Sequence, residues 1–210
     1  MTPFDQIAPS YAALWSETAQ GRRQRAAVWR EIDRLFRPGG TILDLGCGTA
    51  DDALHLGERG VRVLGIDSSE RMVQIAQSRG AEARQLAIEN LELLAGPFDG
   101  ALSNFGALNC VADLEGVARN LAHLLLPSAP LAICVMGRFC WRETLRALAT
   151  LDWGTATRRW TGRARWRGTT VYYPSARKIV RVFRPYFEFQ RRISIGRSDH
   201  QLFVFKRSVR

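Results

Sequence analysis

The 210-residue chain has no run of 18 apolar residues, so no membrane-spanning helix is expected. Its four cysteines, Cys47, Cys110, Cys134 and Cys140, show no metal-ligand spacing. No bound metal is expected, and a reduced, cytoplasmic setting is the simplest reading. Cys110 and Cys140 read as small core or pocket thiols. The three histidines, His55, His123 and His200, stand far apart, and each reads as structural or exposed. Residues 1–5 lack the pattern of a secretory leader. No internal repeat or low-complexity tail is present.

Charge of one sign is scarce in one half and abundant in the other. Residues 1–137 carry a net charge of −4, and residues 138–210 carry +14. The basic character therefore belongs to the C-terminal third. Arginine greatly outnumbers lysine there, as a GC-rich genome alone would produce.

The most informative segment is Ile42-Leu43-Asp44-Leu45-Gly46-Cys47-Gly48-Thr49-Ala50. It reads as a buried strand that ends in a glycine-rich turn. Gly46 and Gly48 let the backbone turn sharply and let a ligand come close. The helix that follows points its free N–H groups at that ligand. Asp67 ends a second apolar run about twenty residues later, where a carboxylate accepts the hydroxyls of a ribose. A dinucleotide site asks for a third glycine at position 51. This chain has Asp51 and Asp52, whose charges repel a pyrophosphate. Asp44 adds another acid at the strand end. The set suits a ligand with an ammonium and a sulfonium.

Here the chain resembles class I S-adenosylmethionine-dependent methyltransferases, in their small-molecule, type 11-like branch. Asp44-Leu45-Gly46-Cys47-Gly48-Thr49 is similar to their first motif. Gly65-Ile66-Asp67-Ser68-Ser69 with Met72 is similar to the second. The segment from Phe98 to Asn109, which contains Ser103-Asn104-Phe105-Gly106, resembles their fourth strand and the loop after it. The likeness runs from about residue 4 to 136, and more loosely to the C-terminus.

The coarse element reading agrees with such a fold. Helices are expected over residues 22–36, 50–59 and 69–79, from Asp113 to 125, and over 175–184. Strands are expected over 41–45, 61–66, 82–86, 98–103 and 131–136. A final antiparallel hairpin is expected over 185–195 and 201–206. The alternation implies an α/β, Rossmann-like, seven-stranded, mostly parallel sheet with helices on both faces. The reading is one domain: an N-terminal entry segment and helix (1–40) and a cofactor-binding core (41–136). A basic lid insert after strand 5 (137–173) and a C-terminal helix and hairpin (174–210) complete it.

The resemblance also implies roles. Asp44, Gly46, Cys47 and Gly48 would surround the methionyl part of the cofactor, and Asp67, with Ser68 beside it, would bind the ribose. Met72 would lie against the adenine face or fill the core. Ala87, Ile88 and Glu89 would meet the adenine edge. Ala87 stands where the family often has Asp, which leaves that contact to Glu89 or the Ile88 backbone N–H. Asn104, Phe105 and Gly106 would approach the sulfonium. Tyr11 would cover the methionine, and Arg22 or Arg25 would pair its carboxylate or form a solvated helix face. Asn109 and Tyr173 are placed by topology to touch an acceptor.

Methyl transfer from a sulfonium needs alignment and exclusion of water more than a general base, so no catalytic residue is nominated. The expected reaction is methylation of a small molecule, with an anionic or carrier-bound acceptor suggested by the basic lid. A second reading is an RNA or other nucleic-acid methyltransferase that uses Arg among Trp141, Trp153, Trp160 and Trp166. Against it, Ser103-Asn104-Phe105-Gly106 is not the Asn-Pro-Pro-aromatic loop of the enzymes that methylate nucleic-acid amino groups. A third reading is a non-catalytic cofactor-binding subunit.

Overall fold

A computed structural model describes residues 2–137, 161–196 and 199–209. The strands are β1 (Thr41–Leu45), β2 (Arg62–Asp67), β3 (Glu82–Gln85), β4 (Gly100–Ser103), β5 (Pro130–Met136), β6 (Arg163–Trp166), β7 (Thr169–Tyr172), β8 (Phe187–Ser194) and β9 (His200–Arg207). The α-helices are α1 (Pro3–Ile7), α2 (Ala19–Leu35), α3 (Asp51–Glu58), α4 (Glu70–Ser78), α5 (Leu114–Leu124) and α6 (Ala176–Phe183).

One seven-stranded sheet runs in the order β3-β2-β1-β4-β5-β9-β8. The first five strands are parallel, and β9 pairs antiparallel with both β5 and β8. Alternation along each strand feeds two cores. Ile42, Leu102, Ala132, Cys134, Leu202 and Val204 meet Val28 and Ile32 of α2 on one face. Leu43, Leu45, Ala101, Leu131, Ile133, Phe203 and Phe205 meet α5 and α6 on the other. β5 is apolar at every position from Leu131 to Val135 because helices cover both of its faces.

Strand order reverses between β1 and β4. The crevice at that switch point, beyond the carboxyl ends of the strands, is where open α/β sheets bind ligands. The elements that deliver residues there have clear local causes. Ser69 caps α4 by accepting the Met72 N–H at 3.2 Å, and Asp113 caps α5 by accepting the Gly116 N–H at 2.9 Å. The first long helix begins at Ala19 rather than 22, because the Thr18 hydroxyl accepts the Gly21 N–H at 2.9 Å. β4 begins at Gly100 rather than 98, and Phe98 makes only an isolated bridge to Leu125.

The expected lid, residues 137–173, falls largely on 138–160, outside the described residues, with Cys140, Trp141, Trp153 and Trp160. Its described end is a hairpin, β6–β7, which had not been anticipated. Its turn residues Arg167 and Gly168 have φ of +47° and +87°. Two left-handed residues match the twist of a tight hairpin.

Candidate functional site

The glycine turn between β1 and α3 is left-handed at Gly46 (φ +74°), Gly48 (φ +53°) and Ala50 (φ +66°). Gly46 and Cys47 N–H groups both donate to the Ile66 carbonyl, at 2.8 and 2.9 Å. The turn is therefore stitched to the end of β2. A Cβ at Gly46 would stand 2.3 Å from the Ala107 Cβ, so the loop after β4 presses directly on the turn. A Cβ at Gly48 would meet only Tyr11, at 3.9 Å. Tyr11 thus stands beside Gly48.

Asp67 closes β2 with both carboxylate oxygens engaged. Oδ2 accepts the Gly48 N–H at 3.0 Å and Oδ1 the Ser69 N–H at 2.8 Å. Each oxygen retains a lone pair for a further donor. Burial pushes this carboxyl up, against the lowering effect of the two N–H groups. Ser68 is exposed, and Ser69, its neighbour, makes the structural contacts. Ser69 Oγ donates to Asp5 Oδ1 at 2.6 Å and so anchors α1 over the second motif.

Asp44 is buried at the end of β1, and its Oδ2 has no hydrogen-bond partner. Burial and then the neighbouring Asp52 push its carboxyl well up, with Arg25 opposing. Arg25 ion-pairs with Asp52 at 2.8 Å and Asp51 at 3.3 Å, lies 4.9 Å from the Phe105 ring centre, and leaves a buried Nε without an acceptor. Asp51 also accepts from Ser16 at 2.6 Å and Arg79 at 2.8 Å. Asp52 accepts from Trp29 Nε1 at 2.7 Å and Asn104 Nδ2 at 2.9 Å. The paired aspartates that repel a pyrophosphate are thus the anchor for α2 and the loop after β4.

Of the two arginines proposed for a carboxylate, Arg25 is at the cleft. Arg22 is exposed and donates to the Glu17 backbone carbonyl, an interaction within its own helix entry. Asn104 Oδ1 accepts the Phe105 N–H at 2.9 Å, and Phe105 and Gly106 are left-handed, with φ of +46° and +89°. Ile88 approaches the turn, 3.7 Å from the Cβ position of Gly46. Ala87 is half-buried and Glu89 exposed beside it. The Cys110 thiol is pushed up to about 11 by burial, then by the charges of Glu89 and Asp67.

Met72 is 1 % exposed and packs with Ile7, Ala8, Phe4, Tyr11, Ile75 and Trp166, which is the core-filling one of its two readings. Asn109 is fully buried; its Nδ2 donates to the carbonyls of Met136 (3.0 Å) and Tyr172 (2.6 Å), and its Oδ1 accepts the Met136 N–H (2.9 Å). Its amide is spent on bracing β5 to β7, with nothing left for an acceptor. His200 is half-buried, which agrees with the structural alternative: its ring stands edge-on to Phe105 at 5.5 Å, with Asp199 3.5 Å away. Tyr173 is buried just after β7, where its N–H donates to the Gly162 carbonyl at 2.8 Å. His55 stacks on Trp29 at 3.9 Å and lies 2.8 Å from Asp33, a structural place, and His123 is exposed on α5.

The residues reasoning from sequence missed are Ser16, Trp29, Asp52, Ser69 and Asp5. The adjacent acids at the start of α3 were a visible signal, but their partners lie far away in sequence.

Residues 42–128 match the family model described as a methyltransferase domain. Over that segment the chain is similar to methyltransferase domains. The chain is 34% identical over 153 residues to a 2-phytyl-1,4-naphtoquinone methyltransferase of Synechococcus elongatus, covering 64% of this chain and 62% of that one. It is 37% identical over 142 residues to a demethylmenaquinone methyltransferase of Thermus thermophilus, with 62% of each covered. The match thus spans about three fifths of the length of these curated relatives. Among solved structures, a putative S-adenosylmethionine-dependent methyltransferase from Listeria monocytogenes superposes with a TM-score of 0.68. It is 20% identical and covers 88% of this chain and 99% of its own. That likeness concerns the fold of the methyltransferase domain.

Proposed function

We propose that this protein transfers a methyl group from S-adenosylmethionine to a small, anionic or carrier-bound acceptor. The observation that carries the cofactor assignment is a pair of buried polar atoms without a hydrogen-bond partner, Asp44 Oδ2 and Arg25 Nε. A buried polar group without a partner is costly, and an amino-acid headgroup supplies both missing partners. Asp44 would take the ammonium and Arg25 the carboxylate. Asp67 would take the ribose hydroxyls through its remaining lone pairs, and Ala87 to Glu89 the adenine edge. Gly46 and Gly48 allow the close approach, with Tyr11 as cover.

When bound, the cofactor supplies an electrophilic methyl on a positively charged sulfur. The chain's own work is alignment and the exclusion of water. The Asn104-Phe105-Gly106 loop would border the reacting methyl, with His200 and Tyr173 toward the acceptor side. The acceptor reading rests on charge. Arg163, Arg165 and Arg167 are exposed on the β6–β7 hairpin, and the C-terminal third is strongly basic. The names of the relatives direct the choice of acceptor to reduced naphthoquinones, whose ring-bound hydroxyls ionise to an anionic nucleophile.

The alternative of a nucleic-acid substrate draws on the same row, where Arg167 lies 5.6 Å from the Trp166 ring centre. RNA binding that falls steeply with added salt would favour it. The free thiols Cys47, Cys110 and Cys134 suit a cytoplasmic setting.

Titration of S-adenosylhomocysteine by calorimetry tests the cofactor assignment, with Asp67→Ala as control. No heat of binding to the parent protein would sink it. A binding-competent protein that methylates neither reduced naphthoquinones nor RNA would instead favour a non-catalytic subunit.

A further inference from the structure

Asp52 is a residue to which no step of the reaction has been assigned, yet its carboxylate accepts hydrogen bonds from the side chains of Arg25, Trp29 and Asn104. It is 6 % exposed and sits in the first turn of α3. Oδ1 accepts from Arg25 Nη1 (2.8 Å) and Trp29 Nε1 (2.7 Å), both on α2. Oδ2 accepts from Asn104 Nδ2 (2.9 Å), at the end of β4.

That last bond has a consequence for orientation. A primary amide has a donor side and an acceptor side, and a neighbour that only accepts decides which way it faces. An ionised carboxylate only accepts. With Nδ2 turned to Asp52, the Oδ1 of Asn104 is turned to the Phe105 N–H, which it accepts at 2.9 Å. Phe105 needs such help, because at φ +46° a side chain beyond glycine is strained. The next residues, Gly106 and Ala107, run against the glycine turn, where Ala107 leaves no room for a Cβ at Gly46.

We propose that Asp52 is a positioning residue. By fixing the amide of Asn104, it holds Phe105 left-handed and sets the loop that borders the cofactor's methyl group. The loop's relation to the methyl rests on the cofactor assignment above; the control of Asn104 by Asp52 does not.

A swap of chemistry tests the idea. In Asp52→Asn, one amide faces another; the new NH₂ takes the Asn104 Oδ1 away from Phe105. In Asp52→Asn/Asn104→Asp, the donor and acceptor exchange places. The new amide donates to the new carboxylate, whose other oxygen again accepts the Phe105 N–H. The net charge equals that of the parent.

Hydrogen exchange at the Phe105 amide is followed by NMR in the cofactor-free protein. The single variant is expected to exchange roughly tenfold faster than the parent, and the double variant is expected to return close to it. Equal exchange in parent and single variant, or a double variant as fast as the single, overturns the proposal. Should the single variant not fold, the parent and the double variant decide alone. Both must show a through-hydrogen-bond coupling between the Phe105 nitrogen and the side-chain carbonyl carbon of residue 104, and its absence in either refutes the idea.

The effect on the methyl is read with S-adenosylmethionine carrying a ¹³C methyl. Its bound resonance should move in Asp52→Asn and return in the double variant, and an unmoved resonance removes any role at the reacting group. Failure of the parent to bind this probe, with the Phe105 result intact, rejects the cofactor assignment and leaves the control of Asn104 by Asp52 standing.

Discussion

Ser69 Oγ donates to Asp5 Oδ1 across 2.6 Å, joining helix α1 to the loop that presents Asp67. Ser69 also gives its own N–H to Asp67 at 2.8 Å. One buried serine thus ties the N-terminal segment to the Asp67 carboxylate. The Asp5 carboxyl is lowered to about 2, first by this hydrogen bond, with burial opposing and the Thr2 and Arg71 donors assisting. A lowered carboxyl stabilises the fold above its unfolded pKa, and that contribution fades as the folded form is protonated. Docking of α1 should therefore be complete above about pH 4 and be lost as pH falls toward 2. Asp5→Ala should cost about 1–2 kcal/mol at neutral pH. The gap in denaturant midpoint between parent and variant should close on acidification; a gap that persists at the lowest pH would contradict the assignment.

Asp67 offers the most direct affinity test. Asp67→Ala should weaken S-adenosylhomocysteine by at least about thirtyfold, corresponding to the loss of charge-assisted hydrogen bonds worth about 2 kcal/mol. Calorimetry reads this. A change of less than about threefold would place the ribose elsewhere.

The two turn glycines should fail in different ways. At Gly46 a methyl collides with Ala107 at 2.3 Å and the φ is +74°. Gly46→Ala should lose about 2–4 kcal/mol of stability by denaturant titration. At Gly48 there is room, with Tyr11 at 3.9 Å, and the cost is the left-handed backbone alone, about 1 kcal/mol. Gly48→Ala should instead show its main loss in cofactor affinity. Equal stability losses at the two positions would refute the distinction.

Asn109 predicts a local effect. Asn109→Ala removes both donors and the acceptor that join Met136 to Tyr172, leaving buried backbone groups unpaired. A loss of about 2–3 kcal/mol is expected, with faster hydrogen exchange in β5 and β7. Affinity for S-adenosylhomocysteine should stay within about threefold of the parent, and a larger drop would return Asn109 to the binding site.

Much of this architecture was legible because it is written in local patterns. The apolar run of β5 and the helix start at Asp113 act on near neighbours. Gly46, Gly48 and Asp67 were legible because the turn and the strand end dictate their residue types. The surroundings of Asn109 and Met72 were illegible for one shared reason. Both are engaged by contacts from distant segments: Tyr172 for Asn109, and Phe4 and Trp166 for Met72. The role of Asp52 was hidden in the same way, since Trp29 and Asn104 lie 23 and 52 residues from it. The β6–β7 hairpin was obscured by its arginines, which mask the alternation of half-buried Ala164 and Trp166.

The order of strands also bears on synthesis. Among the described residues, β8 pairs with β9 alone, and β9 alone joins it to β5. As the chain leaves the ribosome, β8 emerges before this neighbour, with Phe187 and Phe189 still uncovered by β9. The edge of β5 stays open for the same interval. Closure of the sheet therefore waits for residues 200–207, and until then the nascent chain presents two unpaired edges that a chaperone, or another copy of itself, can reach.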